Sequence, residues 1–267
     1  MRPRTIVALV VISILLIVFV VVACNRKLTT TYYNIDAPEI TTPLKIAVIT
    51  DLHSTDYGNE LSDAVSQENP DIVLLVGDIF DNHYDNTPSW HLVETLVAQY
   101  PCYYVTGNHE MVHSELTQVL HKLQDLGVYV LQGNSHTLAH GGINIRICGV
   151  DDNLAPDYET QLHKVSTEFI DAEYNILLSH RPNGVELYKQ TGADLIISGH
   201  AHGGQWSIPW ILPNGLYAPH QGLFPKYTNG LYYFDDWTLL VSRGLDKQSV
   251  KYPRIFNRPE LVILTLQ

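Results

Sequence analysis

The sequence predicts an α/β domain with two packed sheets, and three observations predict it. Short apolar runs alternate with stretches of helical periodicity through the first half of the chain. The second half adds a hairpin pattern and more apolar runs. Five of the apolar runs lead directly into a loop that bears Asp, Asn or His. Strand–helix alternation places helices on the faces of a sheet.

Composition narrows the classes first. The 267 residues carry 16 Lys+Arg against 28 Asp+Glu, a formal charge of −12. That balance argues against a protein that grips a nucleic-acid backbone, which needs a basic face. A 45% hydrophobic share excludes a disordered chain, and three cysteines cannot build a disulfide scaffold. The length suits one large domain with a sizeable core. Thirteen histidines stand beside the acidic residues. Imidazole with carboxylate is a ligand mixture that suits Zn, Fe or Mn.

The elements follow in order. Residues 1–24 read as a targeting or anchoring segment. Arg2 and Arg4 precede an apolar run over 6–23 that only Ser13 interrupts. A helix of that length covers about 27 Å, roughly the hydrocarbon core of a bilayer. Val21-Val22-Ala23-Cys24 has the pattern of a bacterial lipobox, so a lipoprotein signal, a cleaved signal and an uncleaved anchor all stay open. With a lipoprotein signal or an uncleaved anchor the expected location is the cell membrane, with the remaining chain on the extracytoplasmic face. Residues 25–43 are Thr-rich and hold Pro38 and Pro43, which suggests a tether with a first strand over 30–35. Residues 44–267 form the expected domain. Strands are expected at 44–50, 72–76 and 102–106, with helices at 61–67, 89–99 and 114–126 and Gly127 beyond the last helix. Runs at 137–140 and 143–149 flank His140-Gly141-Gly142 as a hairpin. Further strands are expected at 175–179, 195–198, 231–234, 237–241 and 261–266.

The chemistry gathers where these strands end. The five loops read Asp51-Leu52-His53, Gly77-Asp78, Gly107-Asn108-His109-Glu110, Ser179-His180 and Gly199-His200-Ala201-His202. In open α/β sheets, ligands bind beyond the carboxyl ends of the strands, so the five loops should meet at one site. In extended backbone, residues two apart point the same way. That spacing would aim Asp51 with His53, and His200 with His202, at one cluster. Gly77, Gly107 and Gly199 would let the chain turn sharply before the ligands. Any one of these pieces is weak, and their ordered set is strong.

Taken together the loops resemble the calcineurin-like metallophosphoesterases. The pattern of that family is Asp-x-His, Gly-Asp-x-x-Asp, Gly-Asn-His-Glu/Asp, His, then Gly-His-x-His, and each piece occurs here in order from Asp51 to His202. The resemblance extends through Gly203-Gly204-Gln205 and Ser242-Arg243-Gly244. The hydrophobic N-terminus and the His-x-His-Gly-Gly-Gln variant resemble a bacterial branch of membrane-associated phosphodiesterases and UDP-2,3-diacylglucosamine hydrolases. The resemblance implies a four-layer α-β-β-α sandwich, two packed mixed sheets with flanking helices. It also implies two divalent metal ions, Mn, Fe or Zn. Asp51, His53 and His202 would hold one, Asn108, His180 and His200 the other, and Asp78 would bridge them. A metal-bridged hydroxide would then attack phosphorus, with His109 as the general acid and Asp81 orienting His109. Glu110 would support the ligands. Arg181 would touch a phosphate oxygen or stand as a surface charge.

The implied activity is hydrolysis of a phosphodiester or pyrophosphate bond in a small-molecule or lipid-linked phosphate ester. A phosphomonoesterase with the same site, or a metal-binding surface protein without catalysis, remains an alternative. Asn82-His83 follows Asp81 where Ser/Thr protein phosphatases of the family have Arg-Gly, which disfavours that branch. The segment 205–233 is dense in Pro, Gly and aromatic residues, and reads either as a wall of the site mouth or as packing over the sheet edge. His83 and His113 lie close to the motif loops without an assigned role. His91, His121, His136, His140, His163 and His220 read as surface or packing residues. Cys102 and Cys148 fall in expected strands as buried thiols, their pairing open.

Overall fold

The structure, a computed structural model, describes residues 3–169, 174–247 and 253–267; Arg2, one of the two basic residues before the apolar run, lies outside them. Helix α1 spans Pro3–Ala23, and its most apolar 18 residues have mean hydropathy 3.6. The strands of the domain are β1 (Thr29–Ile35), β2 (Leu44–Ile49), β3 (Ile72–Val76), β4 (Cys102–Val105), β5 (Tyr129–Val130), β6 (Asn134–His140), β7 (Ile143–Gly149), β8 (Tyr174–Leu178), β9 (Leu195–Ser198), β10 (Tyr217–Ala218), β11 (Gly222–Leu223), β12 (Gly230–Tyr233), β13 (Thr238–Val241) and β14 (Glu260–Leu266). The helices are α2 (Glu60–Glu68), α3 (Thr87–Val97), α4 (Asn108–Met111), α5 (Leu116–Asp125), α6 (Tyr158–Glu168) and α7 (Val185–Tyr188).

Two mixed sheets of six strands carry the domain, in the orders β1-β14-β2-β3-β4-β5 and β12-β13-β9-β8-β7-β6. In the first, β2 to β5 run parallel and β14 enters antiparallel to β2. In the second, β7, β8, β9 and β13 run parallel, with β6 and β12 antiparallel at the edges. Residues Thr29 to Ile35, within the expected tether, pair residue for residue with Glu260 to Leu266.

The apolar runs lack polar alternation because both faces of each central strand are covered. Ile46 and Val48 of β2 point between the sheets, while Ala47 and Ile49 point to the helices on the outer face. The intersheet core joins Leu74 and Tyr103 of one sheet to Ile176 and Leu195 of the other. Outside the first sheet lie Leu61, Val65, Leu92, Leu96 and Leu123 of α2, α3 and α5. Outside the second lie Leu162 and Val165 of α6 and Tyr188 of α7. The order is therefore helix, sheet, sheet, helix, the expected four-layer sandwich.

Helix α6 is absent from the sequence expectations. Its inward face includes Gln161, whose amide accepts from the Asp151 N–H at 2.9 Å and donates to Asp151 Oδ2 at 3.0 Å. A polar residue on the buried face blurred the 3.6-residue period. Cys102 and Cys148 are unpaired thiols in opposite outer layers, and burial pushes each up to about 12.

Leu74 is fully buried between the sheets. Leu74→Ala should destabilise the domain by about 2–5 kcal/mol, read as a lower denaturant midpoint at unchanged slope. A shift below about 0.5 kcal/mol would contradict the packing described.

Candidate metal centre

Each candidate side chain sits within a few residues of a strand's carboxyl end. Asp51 and His53 follow β2, Asp78 and Asp81 follow β3, and Asn108 and His109 open α4 after β4. His180 follows β8, and His200 and His202 follow β9. The intersheet core thus sets the loops of one sheet against those of the other.

The convergence is tight. Asp78 Oδ2 lies 3.1 Å from His180 Nε2 and 3.6 Å from His53 Nε2, while its Oδ1 accepts the His109 N–H at 2.8 Å. Asp51 Oδ1 lies 3.6 Å from His202 Nε2 and 3.9 Å from His180 Nε2. Both Asp51 oxygens accept the His200 N–H, at 2.9 and 3.0 Å. Three groups have ligand atoms within 4.8 Å of one another: Asp51 with His53 and His202, Asp78 with His180 and His200, and Asp81 with His109 and the same His53. Asn108 Oδ1 is buried with no hydrogen-bond partner. An orphaned acceptor beside grouped imidazoles and carboxylates fits a hard or borderline divalent cation.

Neighbouring residues aim these side chains. His180 Nδ1 donates to the Val76 carbonyl at 2.9 Å, which turns Nε2 toward Asp78. Asp81 Oδ2 lies 2.9 Å from both His53 Nδ1 and His109 Nδ1, and Asn82 Oδ1 is also 2.9 Å from the latter. Asp81 therefore contacts two imidazoles rather than the one expected. The Glu110 carboxylate accepts the N–H groups of Asp78, Ile79, Phe80 and Gly107 at 2.7–2.9 Å, and so ties two loops together. Asn257 Nδ2 donates to the His202 carbonyl at 2.6 Å.

Burial and concentrated negative charge set the proton affinities. Burial alone would raise the Asp78 carboxyl, but the charge and hydrogen bond of His180, with His53 and His109, hold it well below the usual range. Burial dominates at Asp51 and raises it despite His180. Burial would lower His53, yet the hydrogen bond to Asp81 and the Asp78 charge push it up to about 9. His180 is pushed up to about 10 by Asp78 against the same burial. Burial and the Asp78 charge push Glu110 up to about 7. At His200 and His202 burial wins and holds both imidazoles well below their usual range.

Three sequence expectations need correction. Asp51, His53, His200 and His202 are not extended; their φ values are 48°, 47°, 66° and 46°. Each left-handed residue costs roughly 1–3 kcal/mol, and the packed loops hold it there. Gly107 and Gly199 do not supply a left-handed turn. A Cβ at Gly107 would run into Asp78 Oδ1, and one at Gly199 into Asp51 Oδ2, so close approach is what requires glycine. Arg181 is not a surface charge: buried, it pairs with Asp152 at 2.6 and 2.7 Å.

His220 is a further miss. It belongs to the turn of the β10–β11 ribbon, and its Nδ1 lies 2.9 Å from His200 Nε2. The ribbon's inner end thus reaches the cluster, while Trp210, Ile211 and Phe224 of the same segment are 97%, 75% and 69% exposed. The wall and packing readings of 205–233 both describe part of it. Its only sequence signal was proximity to the last motif.

Fold and cluster together are those of the metallo-dependent phosphatase class. The sequence model of the calcineurin-like phosphoesterases matches residues 44–204, well over half of the 267 residues. The chain belongs to the calcineurin-like phosphoesterase family, whose members use a dinuclear divalent metal centre. It is 32% identical over 216 residues to a metallophosphoesterase of Helicobacter pylori, covering 75% of this chain and 54% of that one. It is 27% identical over 239 residues to the Escherichia coli phosphodiesterase YaeI, covering 84% and 82%. The fold is similar to that of a 5'-nucleotidase precursor from Thermus thermophilus, with TM-score 0.52 and 18% identity over 77% of this chain and 50% of that one. The chain spans only about half the length of the Helicobacter relative and of the nucleotidase.

Gly199→Ala tests the close approach. The added methyl should cost about 1–3 kcal/mol and displace the Asp51 carboxylate, so the folded variant should lose bound metal. Elemental analysis beside thermal unfolding reads both effects; full metal content at unchanged stability would contradict the geometry.

Proposed function

We propose that the chain is a membrane-attached phosphodiesterase or pyrophosphatase with two divalent cations. The observation that carries the reading is Asp78, whose Oδ2 faces imidazoles of both ligand groups as a bridging carboxylate must. Asp51, His53 and His202 would hold one cation, and Asn108, His180 and His200 the other. The bound pair would supply an activated water and Lewis-acid stabilisation of the phosphoryl oxygens. His109 is the residue of the cluster suited to proton transfer to the leaving oxygen. Its side chain is 30% exposed, and its Nδ1 is held by Asp81, leaving the far edge of the ring for substrate. Asp81 fixes that tautomer.

The name of the Escherichia coli relative, a phosphodiesterase, favours a diester over a monoester. Turnover of bis(p-nitrophenyl) phosphate by Mn-loaded protein should exceed that of p-nitrophenyl phosphate. Activity on the monoester alone would reverse the assignment. His109→Ala should slow turnover by about 10²–10⁴-fold at unchanged metal content. Loss of metal in that variant would remove His109 from the acid role.

Membrane attachment rests on the 21-residue apolar helix α1. Its last residue, Ala23, accepts the Phe256 N–H at 2.7 Å, which sets the anchor beside the domain. Exposed Trp210, Ile211, Leu223 and Phe224 suit a lipid interface, and a lipid-linked phosphate ester suits such a position. Mass spectrometry of the mature N-terminus should find either lipid on Cys24 or an intact first segment. A lipid-free chain lacking residues 1–24 would sink the attachment.

A further inference from the structure

The cluster imidazoles have an inner and an outer nitrogen. His180 turns Nε2 inward and gives Nδ1 to the Val76 carbonyl at 2.9 Å. His53 turns Nε2 toward Asp78 and Nδ1 to Asp81 at 2.9 Å. His200 is reversed. Its Nδ1 points inward, 3.3 Å from His180 Nε2, and its Nε2 points outward, 2.9 Å from His220 Nδ1. His220 stands where Val76 stands for His180 and Asp81 for His53.

We propose that His220 is a positioning residue that holds His200 in the tautomer and orientation needed to bind the second cation. The inference rests on the reading of His200 as a cation ligand. A neutral imidazole has one proton. If Nδ1 is to offer its lone pair inward, the proton belongs on Nε2, and it needs an acceptor there. His220 Nδ1 is that acceptor, so the proton of His220 itself belongs on its own Nε2. The two rings also stack, with centroids 5.0 Å apart and planes 30° from parallel. Hydrogen bond and stacking fix both the rotation and the tilt of the ligand ring.

The ribbon that presents His220 is itself held in place. His220 has φ 58° in the turn, beside the fully buried Ala218. The Gln221 side chain donates to the Tyr227 carbonyl at 2.7 Å and accepts the Lys226 and Tyr227 N–H groups at 3.2 and 3.0 Å. Phe224 N–H donates to the Leu216 carbonyl at 2.9 Å. An imidazole on a mobile loop could not orient a ligand; one on a braced turn can.

The test compares full-length wild type, His220→Ala and His220→Gln in detergent, with Mn2+ as the probe. Calorimetry gives the affinities, and electron paramagnetic resonance separates a spin-coupled pair from a single ion. The wild type should bind two Mn2+ as a coupled pair. His220→Ala should weaken one of the two sites by about 10–100-fold and show an uncoupled ion below saturation. His220→Gln, which keeps an acceptor, should recover part of that loss, and the metal-free melting temperature should stay unchanged in both. Wild-type affinities and coupling in His220→Ala would overturn the inference. So would a fall in metal-free stability that accounts for the loss without any recovery by glutamine. A wild type that binds no Mn2+ pair would instead sink the two-metal reading, and this inference with it.

Discussion

One buried carboxylate, that of Asp78, ties the two halves of the molecule together. Its oxygens contact the backbone of His109 and the imidazoles of His180 and His53, and so bear on the loops after β4, β8 and β2. β2 and β4 lie in one sheet and β8 in the other. A carboxylate in that position costs several kcal/mol unless it is fully compensated. The compensation has to come from both sheets, which requires their carboxyl ends to meet at one edge. The intersheet core of Val48, Leu74, Ile176 and Ile197 supplies that alignment. Packing in the middle of the sandwich and charge balance at its rim are two aspects of one arrangement.

The rim is built against local backbone preference. Asp51, His53, Ser54, Asp78, His200 and His202 all take positive φ without being glycine. Strain of this kind persists where surroundings over-determine it. Here the surroundings can be named. Glu110 grips four backbone N–H groups, Asp51 grips that of His200, and Asn257 grips the carbonyl of His202. Gly244 adds a close approach from the loop after β13, where a Cβ would meet that of Asp51 at 2.6 Å. The late Ser242-Arg243-Gly244 is thus part of the site's support.

Most of the architecture was legible because each strand and its chemistry are contiguous in sequence. An apolar run covered on both faces announces itself, and the residue after it is the one at the rim. The same locality explains the misses. The sense of the Asp51 and His200 loops was read from an extended chain, and only tertiary packing makes them left-handed. Arg181 stands next to a ligand in sequence but turns to Asp152. Helix α6 hid behind Gln161, a polar residue satisfied by Asp151. His220 lies across a Pro/Gly-rich excursion with no periodicity, so nothing local reports that it returns to His200.

The position of β14 bears on how the molecule is made. This strand follows every other strand in the chain, yet it lies between β1 and β2, parallel to one and antiparallel to the other. The earliest and latest strands of the domain are therefore neighbours, and the first sheet cannot close until residues 260–266 have been synthesised. Closing such a long loop comes at a large entropic cost and slows folding. A nascent chain would keep its first sheet open until synthesis reaches β14.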